Sequence, residues 1–427
     1  MSNMTPNTSS SEPINPNQHL NIPAWVNEDY FRPIIEKDEP NFVSIRNFTP
    51  IAATSPGDNY TSTMIRVIVR IELKDGSEKD TSYILKTMLE STETASFVNS
   101  MQLFPKEKQM YEVHIPNFTK LYNEAGVDIE LAPRCLHIEE TPECITLVME
   151  DLKRRNFSNA DRLKGLDMAH MSRVLQKLAE LHAASAVNYE LNGKYENMYL
   201  LSFYTEDNRK MFEAMGEARH AQYAKAMRQW GLPDVETHIN ITSDAKFFDA
   251  AVKLNEVNEN EFNVLNHGDC WVNNIMFSYK DNGEIDRTLF VDLQVGKYGT
   301  PAQDLWYLIT TSAALDIKIT QFDHFVAIYH QRLIECLKLL NYPNSLPTLR
   351  EMHIMMIKYG FWGPLTSFGV LIAVLFPSDK DSTMENMMAQ GPEADAFRYK
   401  TFINPYYAKA MVQLFPFFTN RGCFVMD

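Results

Sequence analysis

Residues 264–308 constrain the fold of this chain more than any other part of its sequence. They read VLNHGDCWVNNIMFSYKDNGEIDRTLFVDLQVGKYGTPAQDLWYL. Residues 275–280 and 288–292 have the composition of β-strands, and the polar sequence KDNGEID between them contains an Asn-Gly pair, which is typical of a tight turn. The segment therefore predicts an antiparallel β-hairpin.

The predicted hairpin brings two possible metal ligands together. Asn274 and Asp292 each lie nine residues from Gly283, so we expect them directly across from each other at the open end of the hairpin. Cross-strand neighbours have Cβ atoms about 5 Å apart. At that separation one Mg²⁺ can bind an oxygen of each side chain.

Asp269 stands five residues before Asn274, in the pattern His-x-Asp-x-x-x-x-Asn. This is the pattern of the catalytic loop of kinases. Phosphoryl transfer needs a carboxylate that accepts a hydroxyl proton and metal ligands that hold the phosphates in line. We therefore predict Asp269 as the catalytic base and Asn274 and Asp292 as the metal ligands. Each residue alone would more often be a cap or a turn, and only their combination favours a catalytic site.

Three neighbouring residues have simpler interpretations. His267 should support the backbone of the loop rather than take part in chemistry. Asp304 is most simply the N-cap of the helix that follows it, with a bond to the catalytic loop as the alternative. Trp271 is interpreted as core packing.

The chain before residue 152 has the pattern of a small sheet. Residues 64–73 alternate between apolar and polar side chains and predict a strand, and Asp75-Gly76 predicts a turn. The return strand, residues 81–88, carries Lys86 among apolar neighbours. Residues 144–149 predict one more short strand.

A helix should begin near Pro105, since proline fits the first turn, and should end before Pro116. In this helix Glu107 shares a face with residues at i+3 and i+4 that belong to an apolar pattern. An acid on such a face requires a cation nearby.

Composition and pattern divide the chain into three parts. Residues 1–24 are rich in Ser, Asn, Pro and Thr, which predicts a disordered tail. Residues 25–152 should form a nucleotide-binding N-lobe of antiparallel sheet and helix. Residues 153–427 have long helical patterns and should form a larger C-lobe with the catalytic hairpin and the acceptor site. We therefore expect an α+β protein whose two lobes meet at a cleft.

Charge and cysteine content exclude several classes of protein. A formal net charge of -15 argues against a nucleic-acid partner, whereas ATP can still bind because magnesium carries much of the counter-charge. The five cysteines are widely spaced and include no CxxC pair, so neither a disulfide framework nor a zinc site is indicated. No secretory signal precedes Arg32, and we expect a cytoplasmic protein.

Residues 359–376 carry no charge and approach the length of a membrane span. Glycines and a proline interrupt the apolar run and no basic loop flanks it, so a buried helical hairpin is the preferred interpretation. We expect no membrane span.

These motifs resemble those of the ecdysteroid kinase-like, or CHK kinase-like, family of the aminoglycoside/choline phosphotransferase superfamily. In chain order the matching motifs are GDNYTS (57–62), ILK (84–86), MEDL (149–152), AELHAAS (179–185), HGDCWVNN (267–274) and VDLQ (291–294). Their order is more specific than any single motif. The family often has Asp-Phe-Gln where this chain has Asp292-Leu293-Gln294, and the effect on metal binding should be small.

The resemblance implies a two-lobed protein-kinase-like fold that binds ATP and Mg²⁺. Lys86 would hold the α- and β-phosphates, and Glu107 would orient Lys86. This agrees with the helical pattern, which places Glu107 on an apolar face where it requires a nearby cation.

Four further nucleotide contacts are implied by the resemblance. Gly57 and Asn59 lie in the segment similar to the family's nucleotide loop, which would cover the phosphates although it contains a single glycine. Glu150 and Leu152 would meet the adenine through backbone groups.

The resulting prediction is an ATP-dependent small-molecule kinase that phosphorylates a hydroxyl of an apolar alcohol, with ecdysteroids among the candidates. The uncharged residues 359–376 should lie beside the catalytic loop and lack the carboxylates expected around choline or an aminoglycoside. Their aromatic side chains could equally fill the core of the C-lobe.

Three alternatives remain. A protein kinase needs a long activation segment ending in Ala-Pro-Glu, but only twelve positions separate Asp292 from Asp304. A catalytically silent nucleotide-binding protein would have lost the lysine, the base or the metal ligands, which are all present. A kinase for choline-like or xenobiotic substrates stays open, as does the oligomeric state.

Overall fold

The computed structural model describes residues 22–53, 62–88, 100–142, 144–243, 245–377 and 391–425. Gly57 and Asn59 lie outside these ranges, as do all but the last three residues of the predicted tail.

A five-stranded antiparallel sheet forms the N-terminal part of the structure. Its strands are β1 (Phe42–Ala52), β2 (Thr63–Leu73), β3 (Glu78–Thr87), β4 (Cys135–Glu140) and β5 (Ile145–Glu150), in the spatial order β1-β2-β3-β5-β4. The three strands predicted in this region are confirmed as β2, β3 and β5. The turn at Asp75-Gly76 joins β2 to β3.

The alternation in β2 decides how the sheet packs. Successive strand side chains point to opposite faces, and the apolar set of β2 is buried on one face against helix α1 (Glu28–Asp38). From α1, Phe31 and Ile35 enter this small core, and Leu85 of β3 joins it. The neighbouring residue Lys86 therefore lies on the opposite face.

The opposite face of the sheet is covered by α2 (Leu103–Gln109), a π-helical turn (Met110–His114) and α3 (Ile115–Glu124). The prediction that this helix ends before Pro116 is wrong. Pro116 occupies the first turn of α3, where its missing N–H leaves no helical bond unmade. The wider π turn before it lets the chain continue as a helix.

The C-terminal part is mainly helical. Its helices are α4 (Met168–Asn192), α5 (Arg209–Met227), α6 (Val235–Ser243), α7 (Ala245–Lys253), α8 (Ala302–Ser312), α9 (Leu315–Lys318), α10 (Phe322–Leu339), α11 (Leu349–Lys358), α12 (Trp362–Gly369), α13 (Leu371–Leu375), α14 (Pro392–Phe402) and α15 (Pro405–Asn420). Side-chain caps define several starts: the Asp167 carboxylate accepts the His170 N–H at α4, and Thr348 with Glu351 forms a capping box at α11.

Two short strand pairs also belong to the C-terminal part of the chain. The strand β7 (Ile275–Tyr279) pairs with β8 (Ile285–Phe290), and β6 (Val264–Asn266) pairs with β9 (Lys297–Gly299). The loop between β6 and β7 contains Asp269. The two pairs therefore carry the segment that the sequence marked as catalytic.

The uncharged residues 359–376 form the short helices α12 and α13, which pack on each other and on α8. Most of their side chains are buried. Among the described residues, none of the helices combines the length and the apolar character needed to cross a membrane.

A small antiparallel sheet with its helices and a larger helical part make up a two-lobed kinase-like fold, and the predicted fold class is confirmed. We propose that the lobes divide at Leu152, just after β5 ends and where a 3₁₀ turn (Leu152–Arg155) begins.

Candidate active site

The catalytic hairpin forms, but its register differs from the symmetric one. A bulge between Ser278 and Tyr279 places one additional residue on β8. The turn is centred on Asn282 and not on Gly283, because Tyr279 pairs with Ile285, and this alone would place Asn274 opposite Phe290. The bulge recovers one position, so Asn274 lies opposite Val291, whose N–H donates to the Asn274 carbonyl at 3.0 Å. Asp292 is one residue further along, so the expectation of a direct Asn274–Asp292 pair is wrong by one position.

Asp292 nevertheless faces the site. Its φ of 63° is in the left-handed region, which is uncommon for a residue other than glycine and occurs where the surrounding structure requires it. The Asp292 carboxylate lies 2.7 Å from Nζ of Lys86. Asp292 and Asn274 both line the same cleft between the lobes.

Both carboxylate oxygens of Asp269 are hydrogen-bonded. Nδ2 of Asn274 donates to Oδ2 at 2.8 Å and to the Asp269 carbonyl at 3.0 Å. The Tyr307 hydroxyl donates to Oδ1. Because its amide nitrogen is committed to Asp269, Asn274 has its amide oxygen available for a cation.

Burial and the nearby charge of Asp292 raise the pKa of Asp269 to about 7, against opposing hydrogen bonds from Tyr307, Asn274 and Trp271. A general base is most effective when its pKa lies near the working pH. Trp271 packs partly against the large core and also hydrogen-bonds to Asp269, so core packing describes only part of its role.

Asp304 holds the backbone of the catalytic loop. The helix α8 begins at Ala302, so Asp304 lies in its first turn and the N-cap prediction is wrong. The Asp304 carboxylate accepts the N–H groups of His267 at 2.7 Å and Gly268 at 2.9 Å. The alternative, a bond to the catalytic loop, is confirmed.

His267 joins this loop to the hairpin. Its Nε2 donates to the Val291 carbonyl at 3.1 Å, and its Nδ1 accepts the Asp269 N–H at 3.3 Å. Burial lowers the pKa of His267, which keeps the ring neutral with one donor and one acceptor nitrogen. The supporting role predicted for His267 is confirmed.

The sequence analysis missed the residues that buttress this loop from behind. His182 of α4 bonds to Asp304 through Nε2 at 3.1 Å, and its Nδ1 lies 2.8 Å from the Tyr329 hydroxyl of α10. Tyr307 follows Asp304 by three residues in α8, a spacing that places two side chains on one helix face. That spacing could have identified Tyr307, whereas the sequence contains no comparable signal for Tyr329.

Position 268 requires a glycine because the backbone of Val295 approaches it closely. Its φ is 81°, and a Cβ would lie 2.1 Å from the Val295 carbonyl oxygen. Gly283, at the hairpin turn, has φ 83° with open space around it. The two glycines therefore share a backbone conformation and differ only in surroundings.

We expect Gly268→Ala to lower the free energy of unfolding by at least about 3 kcal/mol, because a clash with rigid backbone adds to the cost of the left-handed conformation. Gly283→Ala should cost about 1 kcal/mol from the backbone alone. Urea titrations followed by circular dichroism compare the two variants. Equal losses of stability would contradict the close approach at Gly268.

Lys86 lies between two acids. Its Nζ is 2.6 Å from Oε2 of Glu107 and 2.7 Å from Oδ1 of Asp292. Lys86 is 2% exposed and Glu107 is fully buried. Burial alone would lower the pKa of Lys86, but attraction to Asp292 and Glu107 outweighs it and the pKa is raised. Lys86 therefore stays a cation held in place at the wall of the cleft.

Two arginines hold the acidic side chain of the segment between the lobes. The Glu150 carboxylate lies 3.3 Å from Nε of Arg134 and 3.2 Å from Nη1 of Arg155, and it accepts the Arg134 N–H at 2.9 Å. Leu152 is buried. The Glu150 N–H also donates to the Arg134 carbonyl at 3.0 Å, so its own carbonyl is the group that could contact a ligand.

The cleft between the lobes has a volume of about 470 Å³, within the usual range of small-molecule sites. Six of the nine site residues predicted from the sequence line it: Lys86, Glu107, Glu150, Leu152, Asn274 and Asp292. Asp269 adjoins it through the bond to Asn274. The structure thus brings together all the predicted site residues that it describes.

Within the described ranges no three or more His, Cys, Asp or Glu side chains cluster in a way that could hold a metal ion. Asn274 and Asp292 offer one amide and one carboxylate oxygen. Mg²⁺ is commonly held by one or two carboxylates together with the phosphates of a substrate. The residues present therefore fit a magnesium ion that arrives with a nucleotide.

A kinase-type phosphotransferase is defined by three features of this site. They are the pair of a sheet lysine with a helix acid, the cleft between the lobes, and the carboxylate beside two possible metal ligands. The chain belongs to the ecdysteroid kinase-like family, whose model matches residues 56–342, more than half of the chain. The predicted family is confirmed, and it identifies the class as a small-molecule kinase.

Among solved structures, the chain is similar to a protein titled "Putative fructosamine-3-kinase" from Haemophilus somnus 129PT. The identity is 12%, the match covers 87% of this chain and 94% of that chain, and the TM-score is 0.33. None of the curated proteins matches the chain.

Proposed function

We propose that the protein uses ATP and Mg²⁺ to phosphorylate a hydroxyl of an apolar alcohol, with ecdysteroids among the candidate substrates. The observation that carries this proposal is the position of Asp269. Its carboxylate is bonded to Asn274, which lines the cleft with Lys86 and Asp292. A base, two metal ligands and a phosphate-binding cation are what phosphoryl transfer requires.

In the proposed reaction, Asp269 accepts the proton of the acceptor hydroxyl. The hydroxyl oxygen forms a bond to the γ-phosphorus, and the bond from that phosphorus to the bridging oxygen breaks. The electron pair of the broken bond leaves with ADP, and the proton remains on Asp269 until solvent removes it. The base works mainly by position, because this transfer asks little covalent chemistry of the protein.

Lys86 would pair with the α- and β-phosphates while Glu107 holds it in place. The Asp292 oxygen that contacts Lys86 would then serve the metal together with Asn274. When bound, Mg²⁺ neutralises charge on the phosphates. Orientation and charge thus come from residues of both lobes.

The remaining nucleotide contacts are proposed from the family. The backbone of Glu150 and Leu152 would receive the adenine, which agrees with the Glu150 side chain being engaged by Arg134 and Arg155. Gly57 and Asn59 would cover the phosphates. Both lie outside the described residues.

Two rival functions are weaker. A silent nucleotide-binding protein would not need a carboxylate hydrogen-bonded on both oxygens next to the cleft, as Asp269 is. A protein kinase would need a peptide platform after Asp292, but here β9 and the start of α8 occupy the chain from Lys297 onward.

The apolar nature of the acceptor is proposed from the helices behind the base. The helix α12 packs on α8, which presents Tyr307 to Asp269. Residues 359–376 contain no carboxylate that would attract a cationic amine. Trp362 is only 7% exposed and belongs to the large core, so it serves packing rather than lining the described cleft.

We expect an ecdysteroid or simple sterol to outcompete choline and an aminoglycoside when all are offered with MgATP. The expected preference in kcat/KM is at least about tenfold, equivalent to about 1.4 kcal/mol of transition-state binding. The measurement is product formation by mass spectrometry in one competition assay, with a magnesium-free control.

Trp362→Phe is the companion variant. Because Trp362 is buried, the substitution should lower the thermal midpoint and leave the order of acceptor preference unchanged. Preference of the wild type for choline or the aminoglycoside would overturn the apolar acceptor. Altered preference in Trp362→Phe would instead place this residue in the acceptor site.

A further inference from the structure

The hydroxyl of Tyr307 is the structural feature that the proposed reaction does not yet use. Tyr307 is largely buried, at 8% exposure, and donates to Oδ1 of Asp269. Burial and the charge of Asp269 raise the pKa of Tyr307 well above its usual value. The phenol therefore stays protonated and acts as a donor to the carboxylate.

Hydrogen bonds at both oxygens of the Asp269 carboxylate leave it little freedom to rotate. Oδ1 is held by Tyr307, and Oδ2 is held by Asn274 at 2.8 Å. The terminal torsion of an aspartate is otherwise broad, because rotation about an sp³–sp² bond has shallow minima. Donors at both oxygens select one orientation.

One of these two donors, Tyr307, comes from a rigid element that also holds the catalytic loop. The helix α8 is buried along its whole length. From it, Asp304 holds the backbone N–H groups of His267 and Gly268, and Tyr307 holds the side chain of Asp269. One helix thus holds both the main chain of the catalytic loop and one oxygen of its carboxylate.

We propose that Tyr307 is a positioning residue for phosphoryl transfer, whose hydroxyl holds the Asp269 carboxylate in the orientation that receives the acceptor proton. This inference rests on the proposed function of Asp269 as the base. Tyr307 is absent from the walls of the nucleotide cleft, so its effect should fall on turnover and not on nucleotide binding.

Tyr307→Phe removes one oxygen and keeps the ring. We expect kcat to fall at least about tenfold, since a small misplacement of a reacting group is costly, and KM for ATP to stay within about twofold of wild type. A fall in kcat with an almost unchanged KM for ATP is the result that identifies a positioning role. A purely structural role of Tyr307 would lower both stability and nucleotide binding without this separation.

Tyr122→Phe is the matched control. Tyr122 is also fully buried, and its hydroxyl donates to the Glu180 carbonyl at 2.9 Å. Both variants lose a buried tyrosine hydroxyl bond, but only one of those bonds reaches Asp269. The control should have wild-type kcat and a similar loss in thermal midpoint.

A crystal structure of Tyr307→Phe provides a reading that does not depend on turnover. We expect the Asp269 carboxylate to occupy more than one orientation in the variant and a single one in wild type. If wild type phosphorylates no alcohol, the proposed function fails, and this comparison still decides whether Tyr307 holds Asp269. An unchanged Asp269 orientation, an unchanged kcat, or an equal fall of kcat in Tyr122→Phe would overturn the proposal.

Discussion

Asp269→Asn is expected to lower kcat at least about 100-fold while the fold and the affinity for MgATP stay close to wild type. An amide cannot accept the hydroxyl proton at neutral pH, so the general-base contribution is lost. The acceptor hydroxyl must then attack the γ-phosphorus without help in losing its proton. The loss should appear in kcat, because Asp269 adjoins the nucleotide cleft without lining it.

The substitution should fold because the local hydrogen bonds can be rebuilt. The new amide oxygen can face Nδ2 of Asn274, in place of Oδ2 of Asp269. The new amide nitrogen can then donate to the Tyr307 oxygen, since a hydroxyl rotates to accept as well as to donate. No buried polar group needs to lose its partner.

Steady-state kinetics with the best acceptor measure the effect, and calorimetry of MgATP checks the binding. Asp286→Asn is the control, because Asp286 lies on the same hairpin with its side chain 47% exposed. It should behave as wild type. Near wild-type turnover in a correctly folded Asp269→Asn protein would remove Asp269 from the mechanism.

Local patterns were enough to predict most elements around the site. The β2–β3 hairpin followed from alternating apolar and polar residues and a turn pair, and the catalytic hairpin followed from two apolar runs around Asn-Gly. The cation required by Glu107 is present as Lys86. Each of these features depends on residues close in sequence or on the chemistry of one buried charge.

The errors in the predicted hairpin register and helix end arose at local irregularities of the backbone. The hairpin turns at Asn282 instead of Gly283, and the bulge between Ser278 and Tyr279 recovers only one of the two positions lost, which periodicity alone does not reveal. The π turn Met110–His114 similarly carries the helix past Pro116. Both are local irregularities that tertiary packing stabilises.

The partners of the catalytic loop were the least predictable part of the site. The bond from Tyr329 to His182 joins residues 147 positions apart in the chain. Contacts of this kind depend on how α4, α8 and α10 pack, and the sequence carries no pattern that specifies them. Gly57 and Asn59 stay predictions from the family resemblance.

Asp292→Ala is expected to abolish the magnesium dependence of nucleotide binding. Asp292 is the one predicted metal ligand that carries a charge, and its partner Asn274 offers only a neutral oxygen. Its side chain is 26% exposed at the cleft, so the loss creates no buried cavity. Lys86 keeps Glu107 at 2.6 Å and stays in place.

Asp292→Ala should change the binding of free ATP and of MgATP in opposite directions. Without magnesium, ATP should bind the variant at least as well as wild type, because a negative charge beside the phosphates has been removed. With magnesium, the gain in affinity seen in wild type should disappear, since the carboxylate that holds the cation is missing. Asn274→Ala should reduce this gain without removing it.

Asp292→Asn separates the charge from the backbone conformation. Asp292 has φ 63°, a conformation that Asn tolerates and that costs Ala about 1 kcal/mol or more. Both variants should lose the magnesium effect, and only Asp292→Ala should also lose that much stability. Asp286→Ala, on the same hairpin, should keep both. Calorimetric titrations of ATP with and without magnesium provide the test, and an undiminished magnesium effect in both Asp292 variants would rule out Asp292 as the ligand.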